Sequence, residues 1–361
     1  MLGADPTDWL LTCDEPGARW LTLSAVLGVP ADDSAVVATH AAVLTDGDVR
    51  TLVARLPDWQ TENEISGHDR PLFAPNLLGL LADQGVTADD DPRVGRLLDD
   101  MLSHQDEEGR FQSFGRLRSG ASGWHSLLCD DHAIAEALLR LGRGGDPRVG
   151  RSLECMAADL ADLAQGRAWP CRVDPALGFR GPGRKNDFCP MVALQALRAF
   201  SYVPEDQRPV WLLDVARVSL RAWRERGIEK PYMFGHGRQF KRVKWPATWY
   251  NSLTMLDAVG RYPDLWAAPD ARLEDTKAIA ELAACLIAYN VDRANGTVTP
   301  RSCYQGFEQF SFGQKKVPSP YATAKTWAVL ARVAALADMV ADVDVLALTS
   351  SKGGSGRALA P

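Results

Sequence analysis

Long apolar runs, close cysteine pairs, strand-like alternation and nucleotide or protease signatures are all scarce in this chain. No apolar stretch approaches the ~20 residues that a helix needs to cross a bilayer, so no transmembrane segment is expected. Met1 to Trp9 holds neither a basic cluster nor an apolar core. No leader peptide is therefore expected, and the reading is cytoplasmic. The seven cysteines (13, 129, 155, 171, 189, 285 and 303) are odd in number and scattered, with no CxxC pair. They read as reduced thiols rather than as a disulfide framework. P-loop, GxGxxG and HExxH strings are absent, which removes motif support for nucleotide binding and zincin chemistry. A net charge of −6 over 361 residues leaves no nucleic-acid footprint. What remains is a chain 46% hydrophobic, enough for a large core.

What is present is repetition. Asp91-Pro92-Arg93-Val94-Gly95-Arg96 returns as Asp146-Pro147-Arg148-Val149-Gly150-Arg151, 55 residues on. In each copy an Asp can cap a helix whose first position is Pro, where the missing N–H costs nothing. Such caps follow apolar segments that close at Gly85, Gly142, Ser201 and Gly260. The period suits two helices plus a long loop. It predicts inner helices near 72–84, 124–141, 187–201, 247–260 and 320–338, and outer helices near 92–104, 147–163, 207–226 and 271–290. The expected organisation is an N-terminal helical extension over 1–60, a helical-repeat domain over 61–345 and a disordered tail over 346–361.

A second repeated signal follows the outer helices. Gln105 to Phe111 has the form QxxxGxF, and Gln165-Gly166-Arg167-Ala168-Trp169 and Asp292 to Val298 are degenerate versions. Gly permits a tight turn there, and the apolar residue can pack back on its helix. On these motifs, residues 66 to 340 resemble the squalene–hopene cyclase and protein prenyltransferase β-subunit superfamily. That resemblance implies an all-α fold, an α/α toroid of about five inner–outer helix pairs. It also implies a prenyltransferase or terpene-cyclase type of enzyme.

In such a toroid the N-termini of the inner helices converge on one mouth. Four loops feeding that mouth (109–122, 165–186, 228–246 and 299–320) carry +3, +4, +4 and +2, a total of +13, while the rest of the chain carries −19. The stretch Arg238 to Asn251 concentrates the pattern, a basic loop running through Pro246 into an aromatic first helical turn. Basic loops and converging helix N-termini predict an anion site. Its expected substrate-binding residues are Arg184, Lys185, Phe188, His236, Arg238, Lys241, Arg242, Lys244, Trp249, Asn251 and Lys325.

The expected catalytic set is Asp130, Asp131, His132, Asp187, Tyr250 and Tyr321. Asp130 and Asp131 are the nearest string to the D-x-D-D of class II terpene cyclases, lacking its first Asp. Asp187-Phe188-Cys189 resembles the D-x-C zinc ligands of prenyltransferase β subunits, but the expected His is missing at Tyr321-Ala322. Zn or Mg are the candidate metals, Asp187 and Cys189 the candidate ligands, and a metal-free protein the expected outcome. The leading expectation is an enzyme that takes a small anionic or isoprenoid diphosphate-like substrate, its tail in an apolar cavity walled by Phe188, Trp249, Tyr250, Tyr321 and Trp327. A partner subunit is compatible with this. The alternatives are an α/α-barrel lyase or hydrolase on an acidic sugar, with Tyr250 or Tyr321 and His132 or His236 as acid and base, and a non-catalytic anion-binding scaffold.

Overall fold

The computed structural model describes residues 4–60, 67–178, 181, 186–227 and 235–350. In chain order the helices are α1 (Thr7–Thr12), α2 (Pro16–Leu21, continued by a π turn to Val26), α3 (Ser34–Thr45), α4 (Gly47–Ala54), α5 (Ala74–Asp83), α6 (Pro92–Ser103), α7 (Leu128–Arg140) and α8 (Pro147–Ala158). After them come α9 (Pro190–Phe200), α10 (Leu212–Arg224), α11 (Arg238–Lys241), α12 (Ser252–Val259), α13 (Asp264–Ala267), α14 (Leu273–Asn290), α15 (Pro320–Ala331), α16 (Ala337–Ala341) and α17 (Val345–Ser350). Two small antiparallel hairpins, β1 (Ser113–Arg116) with β2 (Ser122–His125) and β3 (Ala161–Leu163) with β4 (Gly166–Ala168), lie in the loops.

The fold is an all-α toroid. Helix α5 packs on α7, α7 on α9, α9 on α12 and α12 on α15. Outer helices α6 and α8 lie on α7, α10 on α9, and α14 on α12. The N-terminal extension fills the gap between α15 and α5. Helix α2 packs along α15, and a Cβ on its Gly17 would fall 2.8 Å from the Gln84 side chain at the end of α5. Inner helices are buried nearly all round, as expected of elements with neighbours on every side. All eight residues of α12 are buried, and all of α9 except Arg198.

The caps and turns are those the repeats predict. Asp91 Oδ1 accepts from Arg93 N at 2.7 Å, and Asp146 Oδ1 from Arg148 N at 2.9 Å. Gly109, Gly166 and Gly296 take φ of +108°, +130° and +73° in the three QxxxG-like turns, a region that side chains with a Cβ disfavour. Behind the second turn Trp169 is fully buried and donates its Nε1–H to Met156 O at 2.7 Å.

Three helix starts differ from expectation; the outer helix expected from 207 begins only at Leu212, after a separate turn at Glu205–Gln207. Residues 124–127 belong to β2 and its exit, so α7 begins at Leu128. Pro246 does not open α12; Asn251 does. Its Oδ1 accepts from Leu253 N and Thr254 N at 2.9 and 3.0 Å, while Thr254 Oγ1 accepts from Asn251 N at 3.0 Å. This reciprocal capping box outcompetes the proline as a start signal.

Candidate functional site

Two sites of opposite character lie along the toroid. At the mouth, α11, the chain leading into α12 and the loop at 301–304 enclose a cleft of about 500 Å³. Arg238, Arg242, Lys244 and Arg301 line it, with Trp249, Tyr250, Asn251 and Tyr304. None of these four cations has an ion-pair partner among the described residues. Lys244 Nζ sits 3.8 Å above the Tyr304 ring, a cation–π contact that stiffens the wall. Among the described residues no carboxylate lines the cleft.

His236 and Tyr250 meet at its edge, His236 Nε2 lying 2.9 Å from Tyr250 Oη. Burial, with a smaller push from Arg226, lowers the His236 pKa to about 3, so its imidazole is neutral at neutral pH. Burial raises the Tyr250 phenol above its ordinary value. A neutral imidazole against a protonated phenol is a pair that can hand on one proton.

The floor is ionic. Lys325 Nζ lies 2.8 Å from Asp83 Oδ1 and 3.9 Å from Asp257 Oδ2. Tyr321 Oη donates to Asp83 Oδ2 at 2.9 Å, and Arg140 Nη2 lies 2.5 Å from Asp83 Oδ1. Arg261 and Arg332 close on Asp257, and Arg198 pairs with Glu136 at 2.8 Å. Burial alone would raise the Asp83 pKa, but Lys325 and Arg140 bring it down to about 2. Between these groups a void of about 90 Å³ remains, room for a few waters at ~30 Å³ each.

Arg238, Arg242, Lys244, Trp249, Tyr250, Asn251 and His236 are thus brought together, while Lys241 faces an adjoining hollow 5.4 Å from the Tyr289 ring. Tyr321 and Lys325 belong to the floor. Asp131 accepts from Phe111 N at 2.8 Å and lies near Ser152 of α8; burial, against those hydrogen bonds, raises its pKa to about 8. His132 Nδ1 lies 3.1 Å from Val192 O, and burial lowers its pKa to about 4. Asp187 accepts from Gln165 Nε2 at 3.2 Å and holds the second QxxxG-like turn. Phe188 is buried in a bridge to Pro170, and Trp327 donates to Gly296 O at 2.8 Å. Arg184 and Lys185 lie outside the described residues.

Among the described residues the metal-capable group is His68, Cys129 and Asp130, whose ligand atoms all lie within 4.8 Å of one another. Asp187 is not among them. Sequence reasoning passed over His68, Asp83, Asp257 and Tyr304. Asp83 and Asp257 carried a usable signal: each is an acid inside an otherwise apolar helix, two or three residues before its closing Gly.

No protein-family model and no curated protein matches the chain. A solved structure of an unsaturated glucuronyl hydrolase variant, titled with the sugar dGlcA-Glc-Rha-Glc, matches with a TM-score of 0.47 and 15% identity, covering 94% of this chain and 88% of that one. At that level of likeness nothing about activity transfers. The expected kinship with squalene–hopene cyclases and prenyltransferase β subunits is not what the comparisons return: no family model of either kind matches, and the structure found is that of a glucuronyl hydrolase variant. The floor corrects the isoprenoid substrate as well. An apolar tail would have to displace six charged side chains, those of Asp83, Glu136, Arg140, Arg198, Asp257 and Lys325, from the walls of a small void. No helix among the described residues is long and apolar enough to cross a membrane.

Proposed function

We propose that the chain is a lyase acting on uronate-containing oligosaccharides at the mouth cleft. One observation carries the reading: a His236–Tyr250 proton-transfer pair borders a cleft that, among the described residues, offers four cations without an ion-pair partner, two further aromatic rings and no carboxylate. Retaining and inverting glycosidases ordinarily need two carboxyl groups flanking the bond, and among the described residues none lines this cleft. β-Elimination needs what is present. Arg238 and Arg242 neutralise the uronate carboxylate and stabilise the enolate that develops when the C5 proton leaves. The His236–Tyr250 pair takes that proton. The C4=C5 double bond forms as the C4–O bond breaks, and a proton passes to the departing oxygen. Trp249 and Tyr304 supply faces for sugar rings.

The test is incubation with polygalacturonate, alginate and hyaluronan, with a neutral glucan as control, following the ultraviolet absorbance of the unsaturated uronate product. Turnover is expected on a polyuronate and not on the glucan. Tyr250→Phe is expected to lose about 100-fold or more in kcat with binding kept, and Arg238→Ala with Arg242→Ala to weaken binding. Reducing ends released without the unsaturated product, or full turnover by Tyr250→Phe, would overturn the proposal.

A further inference from the structure

Three donors that the lyase chemistry does not use meet beside the mouth. Cys129 and Asp130 stand in the first turn of α7. His68 lies in the loop before α5, where Asn76 Nδ2 donates to its carbonyl at 3.0 Å and fixes the backbone. A ring nitrogen of His68, the Cys129 sulfur and an Asp130 carboxylate oxygen all lie within 4.8 Å of one another. Asp130 is 1% exposed and Cys129 8%. Asp130 Oδ1 lies 3.4 Å from His68 Nδ1 and makes no hydrogen bond among the described residues. Its Oδ2 accepts from Ser113 Oγ at 3.2 Å, which leaves Oδ1 to face the histidine. Helix capping does not account for this carboxylate: the N-cap residue of α7 is Leu127, and Asp130 bonds to Ser113 instead. A second buried group stands close by. His125 is the cross-strand partner of Ser113 in the β1–β2 hairpin, so the two side chains share a face. It is 1% exposed, and neither of its ring nitrogens has a hydrogen bond among the described residues.

We propose that His68, Cys129 and Asp130 bind one divalent cation, zinc by the chemistry of the donors, with water in the fourth position. Imidazole, thiolate and carboxylate are each ordinary zinc ligands, and three protein ligands plus water make the open form of a tetrahedral site. The spacing agrees. Two ligands at ~2.0 Å from a tetrahedral ion stand about 3.3 Å apart, which matches the 3.4 Å between His68 Nδ1 and Asp130 Oδ1. The Cys129 sulfur, at most 4.8 Å from either, needs only a side-chain adjustment to complete the face. Charge agrees as well, since one thiolate and one carboxylate neutralise Zn²⁺, and a buried site tolerates no surplus. The Ser113 hydroxyl on Oδ2 is the kind of support that a ligating carboxylate takes. Water on the ion would give the neighbouring His125 ring a polar partner. Bound there, the ion would tie the start of α7 to the loop before α5. Through His68, whose ring centroid is 5.6 Å from that of Trp249, it would also fix one wall of the cleft.

The test uses the full chain, expressed with zinc supplementation and purified under reducing conditions. Elemental analysis is expected to find about one zinc per chain, and cobalt replacement to give thiolate-to-metal charge-transfer absorption. Cys129→Ser is expected to abolish that absorption. Because Cys129 and Asp130 are buried, His68→Gln, at a side chain 12% exposed, is the safer variant for folding. It is expected to weaken cobalt affinity, measured against a competing chelator, by at least about tenfold with helical circular dichroism unchanged. Asp130→Asn, close to it in shape, is expected to do the same. Cys303→Ser is the control and leaves the metal in place. Wild-type protein with no stoichiometric metal and no cobalt band would overturn the proposal. So would a charge-transfer band that survives Cys129→Ser, which would put the ion on other thiols, or a folded His68→Gln protein of unchanged affinity.

Discussion

Replacing Lys325 by Met tests whether the toroid floor is held by charge. The ammonium lies between two buried carboxylates, 2.8 Å from Asp83 and 3.9 Å from Asp257, and Met keeps most of its volume. Removing one member of a buried ion cluster typically costs about 3–5 kcal/mol. Arg140 and Tyr321 still serve Asp83, and Arg261 and Arg332 still serve Asp257, so the expected loss is about 3 kcal/mol, at the low end. The pH dependence gives an independent readout. Asp83 is depressed from 3.8 to about 2, worth on the order of 2 kcal/mol. A depressed carboxyl contributes that stability above its unfolded value and loses it as pH falls through the folded one. In Lys325→Met the Asp83 pKa rises, so the acid-induced loss begins at higher pH and is smaller. Urea unfolding followed by circular dichroism, at neutral pH and in steps down to about pH 2, measures both effects. A loss below about 1 kcal/mol at neutral pH, or an acid limb that coincides with wild type, would refute the reasoning.

Two further predictions concern the helix starts. Asn251→Ala removes the capping box of α12 and is expected to cost about 1 kcal/mol in urea unfolding, with Asn251→Asp recovering most of it. Glu15, the N-cap residue of α2, is half-buried, and that burial raises its pKa from 4.5 to about 7, against hydrogen bonds from Ser311 and Tyr321 N. A raised carboxyl favours the fold while protonated, fully below about 4.5, and that contribution is lost as pH rises through about 7. Glu15→Gln is therefore expected to gain about 3 kcal/mol above neutral pH and nothing near pH 4; equal stability differences at both pH values would count against it.

Fold and site were unequally legible. Asp91-Pro92 and Asp146-Pro147 announced two helices because caps are local, and Gly109 and Gly166 announced turns because positive φ is local. The helix start at Asn251 was missed because two start signals stood five residues apart and the stronger was reciprocal. The charge of the mouth was readable from loop sums alone. That His236 rather than His132 meets Tyr250 was not, since it depends on how the chain from Gly235 to Tyr250 folds back. The floor escaped because Asp83, Asp257 and Lys325 belong to three helices and their pairing exists only once the ring closes. The approach of His68 to Cys129 and Asp130 escaped for the same reason: metal-ligand spacing rules apply to local loops, and this group is assembled by the toroid.

Both ends of the toroid set charge against the helix dipole. Aspartates sit in or near the last turns of α5 and α12, where the dipole is negative, and cations crowd the loops that feed the helix N-termini, where it is positive. Each choice costs a few tenths to about 1 kcal/mol per group. At the floor the cost is offset within the chain, because Lys325, Arg140, Arg261 and Arg332 reach the acids directly. At the mouth no such compensation is found among the described residues: Arg238, Arg242, Lys244 and Arg301 face an open cleft with no described carboxylate in its lining. A cation cluster set beside positive helix ends and left unpaired is stabilised when an anion enters, and its aromatic neighbours Trp249 and Tyr304 offer that anion flat apolar faces. The neutralising group that the floor supplies internally is therefore, at the mouth, a feature of the substrate.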